Sequence, residues 1–232
     1  MSPARNLTAQ AAAPLVKFCG LTRPEDAAAA EAAGAAYLGA ILAGGPRLLT
    51  AARARDVLGP RRHSVRRVAV FGDQPWREVV IVAGEIDVDV VQLHGARAPE
   101  EVARIAAESG RTVWPVLRVA ATALPKEAAA LARITGHLVL DAHVVGQLGG
   151  TGVALDWSGL RGALDALRNA VPDVTIVLAG GLRPANVAMA VQLLSPQVVD
   201  VSSGVEAAPG VKDPALVQQF VMAARGAAEM QR

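Results

Sequence analysis

The sequence predicts an α/β fold, a single (β/α)8 TIM barrel with a parallel eight-stranded sheet, and three observations carry that expectation. Short apolar or β-branched runs alternate with helical stretches through eight cycles. The residues that close each apolar run are polar or glycine, while the run interiors are nearly all aliphatic; barrels of this class gather their active site at the C-terminal ends of the strands. Aromatic residues make up only 3% of the chain, so the core is filled by Ala, Val and Leu, which suits helices packed closely on strands. An open doubly wound sheet is the rival architecture. It usually has fewer repeats and a G-x-G-x-x-G motif opening a helix, and no such motif is found. At 232 residues the chain is compact for a barrel, where about 250 is typical.

The first strand lies in Leu15-Val16-Lys17-Phe18-Cys19-Gly20-Leu21-Thr22 and ends functionally at Cys19, the only cysteine. Alternation puts Lys17 and Cys19 on one face and Val16 and Phe18 on the other. Thr22 and Glu25 have the spacing of a capping box, and Pro24 falls in a first helical turn, where its missing N–H costs nothing. A helix then spans Glu25–Gly34, a strand Tyr37–Leu42, and a second helix Thr50–Leu58 with Thr50 as its cap. Strand Arg67–Phe71 precedes helix Pro75–Ala83, in which Trp76, Val79, Val80 and Ala83 share a face and Trp76 reads as a core anchor. Strand Val88–Leu93, helix Pro99–Glu108, strand Thr112–Leu117, helix Pro125–Ile134 and strand His137–Leu140 follow. After a glycine-rich loop come helix Ser158–Arg168, strand Val174–Leu178, helix Pro184–Leu193, strand Val198–Val201 and a closing helix from about Pro214 to Ala224.

Composition narrows the function classes. The apolar fraction of 52% excludes intrinsic disorder, yet no apolar run approaches the ~20 residues of a membrane span, so no membrane partner is expected. The net charge is +2, and no basic run alternates with aromatics. The densest basic stretch, Arg61-Arg62-His63 with Arg66-Arg67, reads as a solvated loop, with no nucleic-acid partner expected. The basic residues are nearly all arginine, with Lys17, Lys126 and Lys212 as the exceptions, which reads as genomic bias. A single cysteine forms no internal disulfide. Met1–Ala13 has no apolar h-region, so it is expected to be a frayed tail rather than a signal peptide, with the barrel occupying 14–232 and a cytoplasmic location by default.

The strand ends name the candidate site. In order they carry Cys19, the Ala43-Gly44-Gly45-Pro46-Arg47 loop, Gly72-Asp73-Gln74, Gln92 with His94, Arg118, Asp141, Gly180-Gly181, and Asp200 with Ser202-Ser203-Gly204. A phosphate needs several backbone N–H groups aimed at one point with no Cβ in the way. The glycines after the last two strands supply this in the loops where barrels often bind phosphate, although tight turns alone would also use glycine there. His94 shares a face with Gln92 and reads as a substrate-lining or structural hydrogen-bonding residue.

V-K-F-C-G-L-T at 16–22, V-Q-L-H-G at 91–95, L-D-A at 140–142, G-G-T-G at 149–152 with D-W at 156–157, L-A-G-G-L-R-P-A-N-V at 178–187, and D-V-S-S-G-V-E with P-G-V-K-D within 200–213 occur in one order along the chain. Jointly they resemble the phosphoribosylanthranilate isomerase family of tryptophan biosynthesis. The resemblance implies the Amadori rearrangement of N-(5-phosphoribosyl)anthranilate without metal or cofactor, with Asp141 as general acid and Cys19 as general base. It further implies a small-molecule phosphoribosyl substrate, phosphate on Gly180, Gly181, Ser203 and Gly204, and substrate contacts from Gln92, His94 and Asp200. The chain is expected to be a monomer or homodimer.

The residues fit that chemistry on their own terms. One group must hold a proton while the other has lost one at the same pH, so their environments should push the two pKa values apart. A carboxyl at a partly dry strand end stays protonated, and a thiol near cationic groups ionises, with Lys17 placed to hold the thiolate. The loop Leu42-Ala43-Gly44-Gly45-Pro46-Arg47 departs from the family's aromatic residue and Ser-Pro-Arg turn, and Leu155 stands where the family has Phe. Arg47 survives as the natural bidentate partner of the anthranilate carboxylate. These departures leave open an isomerase for a related phosphoribosyl arylamine, or a lapsed relative that binds a phosphoribosyl ligand. A sister isomerase of histidine biosynthesis uses an aspartate on the first and fifth strands; here those ends carry Cys19 and Arg118. A metal-dependent epimerase needs clustered His and Asp ligands, and only His94 sits at a strand end.

Overall fold

The computed structural model describes residues 13–119, 122–141 and 157–229. Eight parallel strands, β1 (Leu15–Phe18), β2 (Tyr37–Ile41), β3 (Arg66–Phe71), β4 (Val90–Leu93), β5 (Thr112–Arg118), β6 (His137–Asp141), β7 (Thr175–Ala179) and β8 (Val198–Val201), pair in chain order. The barrel closes where β1 meets β8, in register from Leu15 with Val198 to Phe18 with Val201. Helices α1 (Pro24–Ala32), α2 (Ala51–Leu58), α3 (Trp76–Ile86), α4 (Pro99–Ser109), α5 (Ala128–Thr135), α6 (Trp157–Ala170), α7 (Pro184–Leu194) and α8 (Pro214–Glu229) follow the strands one by one. The expected barrel is present. Of the expected tail, all but Ala13 lies outside the described residues. Among them, no helix is long and apolar enough to cross a membrane.

Strand alternation sorts the core into two layers. Outward residues such as Phe18, Leu38, Leu140 and Leu178 pack against Leu160, Val187 and Phe220 of the helices, each such burial being worth about 1.5–3 kcal/mol. Inward residues Tyr37, Val68, Val90, Trp114, Val139, Val177 and Val198 fill the barrel itself. Trp114 is the anchor. Its fully buried ring meets Tyr37 edge-on at 4.8 Å and stacks on His137 at 5.9 Å. Trp76, expected in that role, is only partly buried, with the guanidinium groups of Arg77 and Arg104 lying 4.6 and 5.3 Å from its ring centroid.

The helix starts were partly legible. Thr50 caps α2 as expected, its hydroxyl accepting from Arg53 N–H at 3.3 Å, and Pro24 opens α1. Thr22 is not the cap of α1: that position falls to Arg23, and the Thr22 hydroxyl instead donates to Gly210 O at 2.6 Å. Gly210 belongs to a feature the strand periodicity did not indicate. After β8 a 3-10 turn (Ser203–Val205) leads into a small antiparallel hairpin, β9 (Glu206–Ala208) with β10 (Val211–Lys212), before α8 begins.

Candidate active site

At the C-terminal mouth of the barrel lies a cavity of 330 Å³. Cys19 enters its wall one residue beyond β1, with its N–H donating to Val201 O at 2.8 Å. Lys17, one layer deeper, is wholly buried and donates to Asp200 Oδ2 at 2.6 Å. Gly39 on β2 leaves the room these two side chains need: a Cβ there would stand 3.2 Å from Cys19 Sγ and 3.3 Å from Lys17 Cε. Burial opposes the Lys17 charge, yet the Asp200 carboxylate and the Cys19 sulfur outweigh it and keep the ammonium protonated. For Cys19 the balance falls the other way. Burial pushes the thiol up, and Lys17 offsets only part of that rise. A resting thiolate is the expectation from the sequence; in the structure desolvation wins over the neighbouring cation.

Asp141 ends β6 and lines the same cavity. His94 Nε2 lies 3.9 Å from Asp141 Oδ2, so the histidine belongs beside the carboxyl. Gln92 sits below His94 in the wall of β4. Gln92 Oε1, Asp200 Oδ1 and Ser202 Oγ are buried with no hydrogen-bond partner among the described residues. Because buried polar atoms are ordinarily paired, three such atoms around one cavity equip it to bind a hydroxyl-bearing ligand.

Two loops form the other side. Gly180 and Gly181 have φ of 88° and 63°, a conformation that favours residues without Cβ, and lead to α7, opened by Pro184. Ser203 and Gly204 begin the turn after β8 and also line the cavity. Gly204 is pressed so closely on Leu182 O that any Cβ there would overlap it. The two loops therefore touch and present their backbone together, suited to an anion.

Of the residues given a catalytic or binding role, Arg47 is the one not brought to the cavity wall, and the strand-end residues Gly72, Asp73 and Arg118 line a neighbouring cavity instead. Arg47 Nε and Nη2 donate to Glu206 at 2.7 and 2.5 Å in a bidentate pair. Burial pushes Glu206 up, but hydrogen bonds from Arg47 and Lys212 outweigh it and hold the carboxyl below the usual range. Glu206 and Lys212 stand in the motifs quoted above, but the sequence reading gave neither a role. A signal was available in the composition: the chain holds 23 basic residues, Lys17, Lys126 and Lys212 are its only lysines, and two of those three are buried here. Ala142, His143, Gly149–Gly152, Leu155 and Asp156 lie outside the described residues.

Residues 16–223 match the family model described as N-(5'-phosphoribosyl)anthranilate (PRA) isomerase. The chain belongs to the phosphoribosylanthranilate isomerase family. It is 40% identical to the N-(5'-phosphoribosyl)anthranilate isomerase of Rubrobacter xylanophilus over 219 residues, 90% of this chain and 98% of that one. The crystal structure of phosphoribosyl anthranilate isomerase from Thermotoga maritima superposes with a TM-score of 0.77 at 31% identity, covering 92% of this chain and 99% of the other. A structure of the enzyme in complex with reduced 1-(o-carboxyphenylamino)-1-deoxyribulose 5-phosphate superposes at 0.73 with 29% identity, over 92% and 99% of the two chains. Family membership makes the chain an isomerase, and Cys19, Gln92, His94, Asp141, Gly180 and Gly204 from the motifs that suggested it line one cavity.

Proposed function

We propose that the chain catalyses the Amadori rearrangement of N-(5-phosphoribosyl)anthranilate to 1-(2-carboxyphenylamino)-1-deoxyribulose 5-phosphate in tryptophan biosynthesis. Residues 14–232 act as one catalytic barrel, in the cytoplasm, as a monomer or homodimer. The observation that carries this reading is a thiol on β1 and a carboxyl on β6 in one cavity whose other side is the pair of glycine loops after β7 and β8. The N–H groups of Gly180, Gly181, Ser203 and Gly204 receive the phosphate and fix the sugar across the mouth. Sugar hydroxyls donate to Asp200 Oδ1 and Gln92 Oε1, which have no partner among the described residues. Arg47, beside the cavity with Nε and Nη2 taken up by Glu206, keeps Nη1 for the aromatic carboxylate, a single contact in place of the bidentate grip expected from the sequence.

Asp141, with His94 beside it, gives its proton to the ring oxygen as the C1–O bond breaks. The nitrogen lone pair forms the C1–N double bond of a protonated Schiff base. Cys19, as thiolate, then removes the proton from C2; the electrons left behind form the C1–C2 double bond as the C1–N π pair returns to nitrogen, giving a neutral enolamine. Asp141 takes back the proton of the C2 hydroxyl as the Cys19 thiol gives its own to C1, which yields the ketone and returns both groups to their starting states. C1 is reduced as C2 is oxidised, so the stoichiometry requires no external electron carrier. The cationic Schiff base also favours the thiolate when it is needed, against the burial that opposes it at rest.

The test is the loss of phosphoribosylanthranilate fluorescence with wild type, Cys19→Ser and Asp141→Asn. Wild type turns over, and each variant falls by about 10²–10⁴-fold. A wild type that binds substrate without converting it makes the chain a phosphoribosyl-binding protein instead.

A further inference from the structure

We propose that Lys212 is a positioning residue for the isomerisation, its ammonium fastening the exit of β1 to the exit of β8 so that Cys19 is held at its working place. The inference rests on Cys19 being the base, and extends that reading to a residue outside the cavity lining.

At the barrel seam the last strand pair is Phe18 with Val201, and one further bond runs from Cys19 N–H to Val201 O. Beyond it the two backbones part, β1 into a turn and β8 into the phosphate loop. Lys212 spans that gap. Its Nζ donates to Cys19 O at 2.8 Å, to Ser202 O at 3.0 Å and to Glu206 Oε1 at 2.8 Å. An ammonium has three donors, and all three are used, two of them on the strand exits that carry the thiol and begin the phosphate loop.

The hairpin that delivers Lys212 is itself fastened to the segment after Cys19. Thr22 Oγ1 donates to Gly210 O, and Lys212 N–H donates to Asp26 Oδ2 at 3.0 Å. Asp26 is gripped in turn by Arg23 through Nε at 3.0 Å and Nη2 at 2.5 Å. Burying an ammonium is costly unless it is paired and hydrogen-bonded, and Lys212 is almost wholly enclosed. A planar guanidinium cannot direct three donors from one compact point, which explains a lysine here in a chain otherwise built with arginine. The charged groups facing Cys19 are Lys17 and Asp200 from the barrel interior, Arg47 from the loop after β2, and Lys212 from the hairpin. Lys212 also favours the thiolate.

The experiment uses the full chain with Lys212→Met and Lys212→Arg, measuring kcat and KM separately and titrating the single thiol by the ultraviolet absorbance of its thiolate. Lys212→Met lowers kcat about 10–100-fold, with a smaller change in KM, and moves the thiol titration to higher pH. Lys212→Arg keeps the charge and still loses kcat, because the three acceptors are no longer met together. If Lys212→Met does not fold, Lys212→Gln, which keeps two donors for the two carbonyls and loses the charge, is read on the same measurements. A folded variant with wild-type kcat and an unmoved titration overturns the proposal. Loss of kcat with an unmoved titration and a lowered melting temperature marks Lys212 as structural only and overturns it equally. A wild type that fails to turn over refutes the assigned reaction, while the thiol titration still decides whether Lys212 governs Cys19.

Discussion

Cys19 stands between desolvation, which protects its proton, and the Lys17 ammonium, which favours its loss. In the proposed reaction the base is needed as thiolate, so kcat/KM is expected to rise with pH and to go on rising into the alkaline range, above the region where an exposed thiol titrates. Lys17→Met removes the largest influence pulling the thiol down, and the rise then shifts to still higher pH. A pH–rate profile of the two proteins checks this, and an unmoved limb rejects the role of Lys17. The same substitution leaves Asp200 enclosed with no cation at 2.6 Å; removing one partner of a buried pair typically costs about 3–5 kcal/mol, which urea denaturation measures. Local pattern made Cys19, Lys17 and Asp141 readable, since alternation along a strand fixes which residues face inward. It could not tell how far burial would raise the thiol, because that depends on the walls supplied by other strands.

Among the elements, the loops after β7 and β8 work as a unit only because Gly204 lets one lie on the other. Gly204→Ala drives a methyl group into Leu182 O; overpacking of this kind costs about 1–3 kcal/mol, and separating the loops weakens inorganic phosphate binding. Thermal melting with and without phosphate reads both effects, and an unchanged phosphate response removes these loops from the binding site. Both loops were visible in the sequence as glycines after apolar runs. The hairpin was not, because strands of three and two residues are too short to display a period. For the same reason Thr22 was misread: its hydroxyl is taken by Gly210, 188 positions away, and no local rule sees such a partner.

Across the whole molecule, Trp114 plugs the barrel interior beneath the site, against Tyr37 and His137. Trp114→Ala costs about 3–5 kcal/mol by denaturant unfolding, whereas Trp76→Ala, on a partly buried helix position, costs less; equal losses contradict the assignment of the anchor. The eight-fold alternation made the architecture legible, since each cycle repeats the same pattern. Which tryptophan fills the middle was not, because helical spacing marks an inward face without saying how deep it lies. The seam between β1 and β8 has one consequence for the life of the molecule. The thiol is synthesised before Asp200 and the turn after β8, and 193 residues before Lys212. A nascent chain stalled before Asp200 therefore holds the sulfur without the buried charges of Asp200 and Lys212 that face it in the finished barrel.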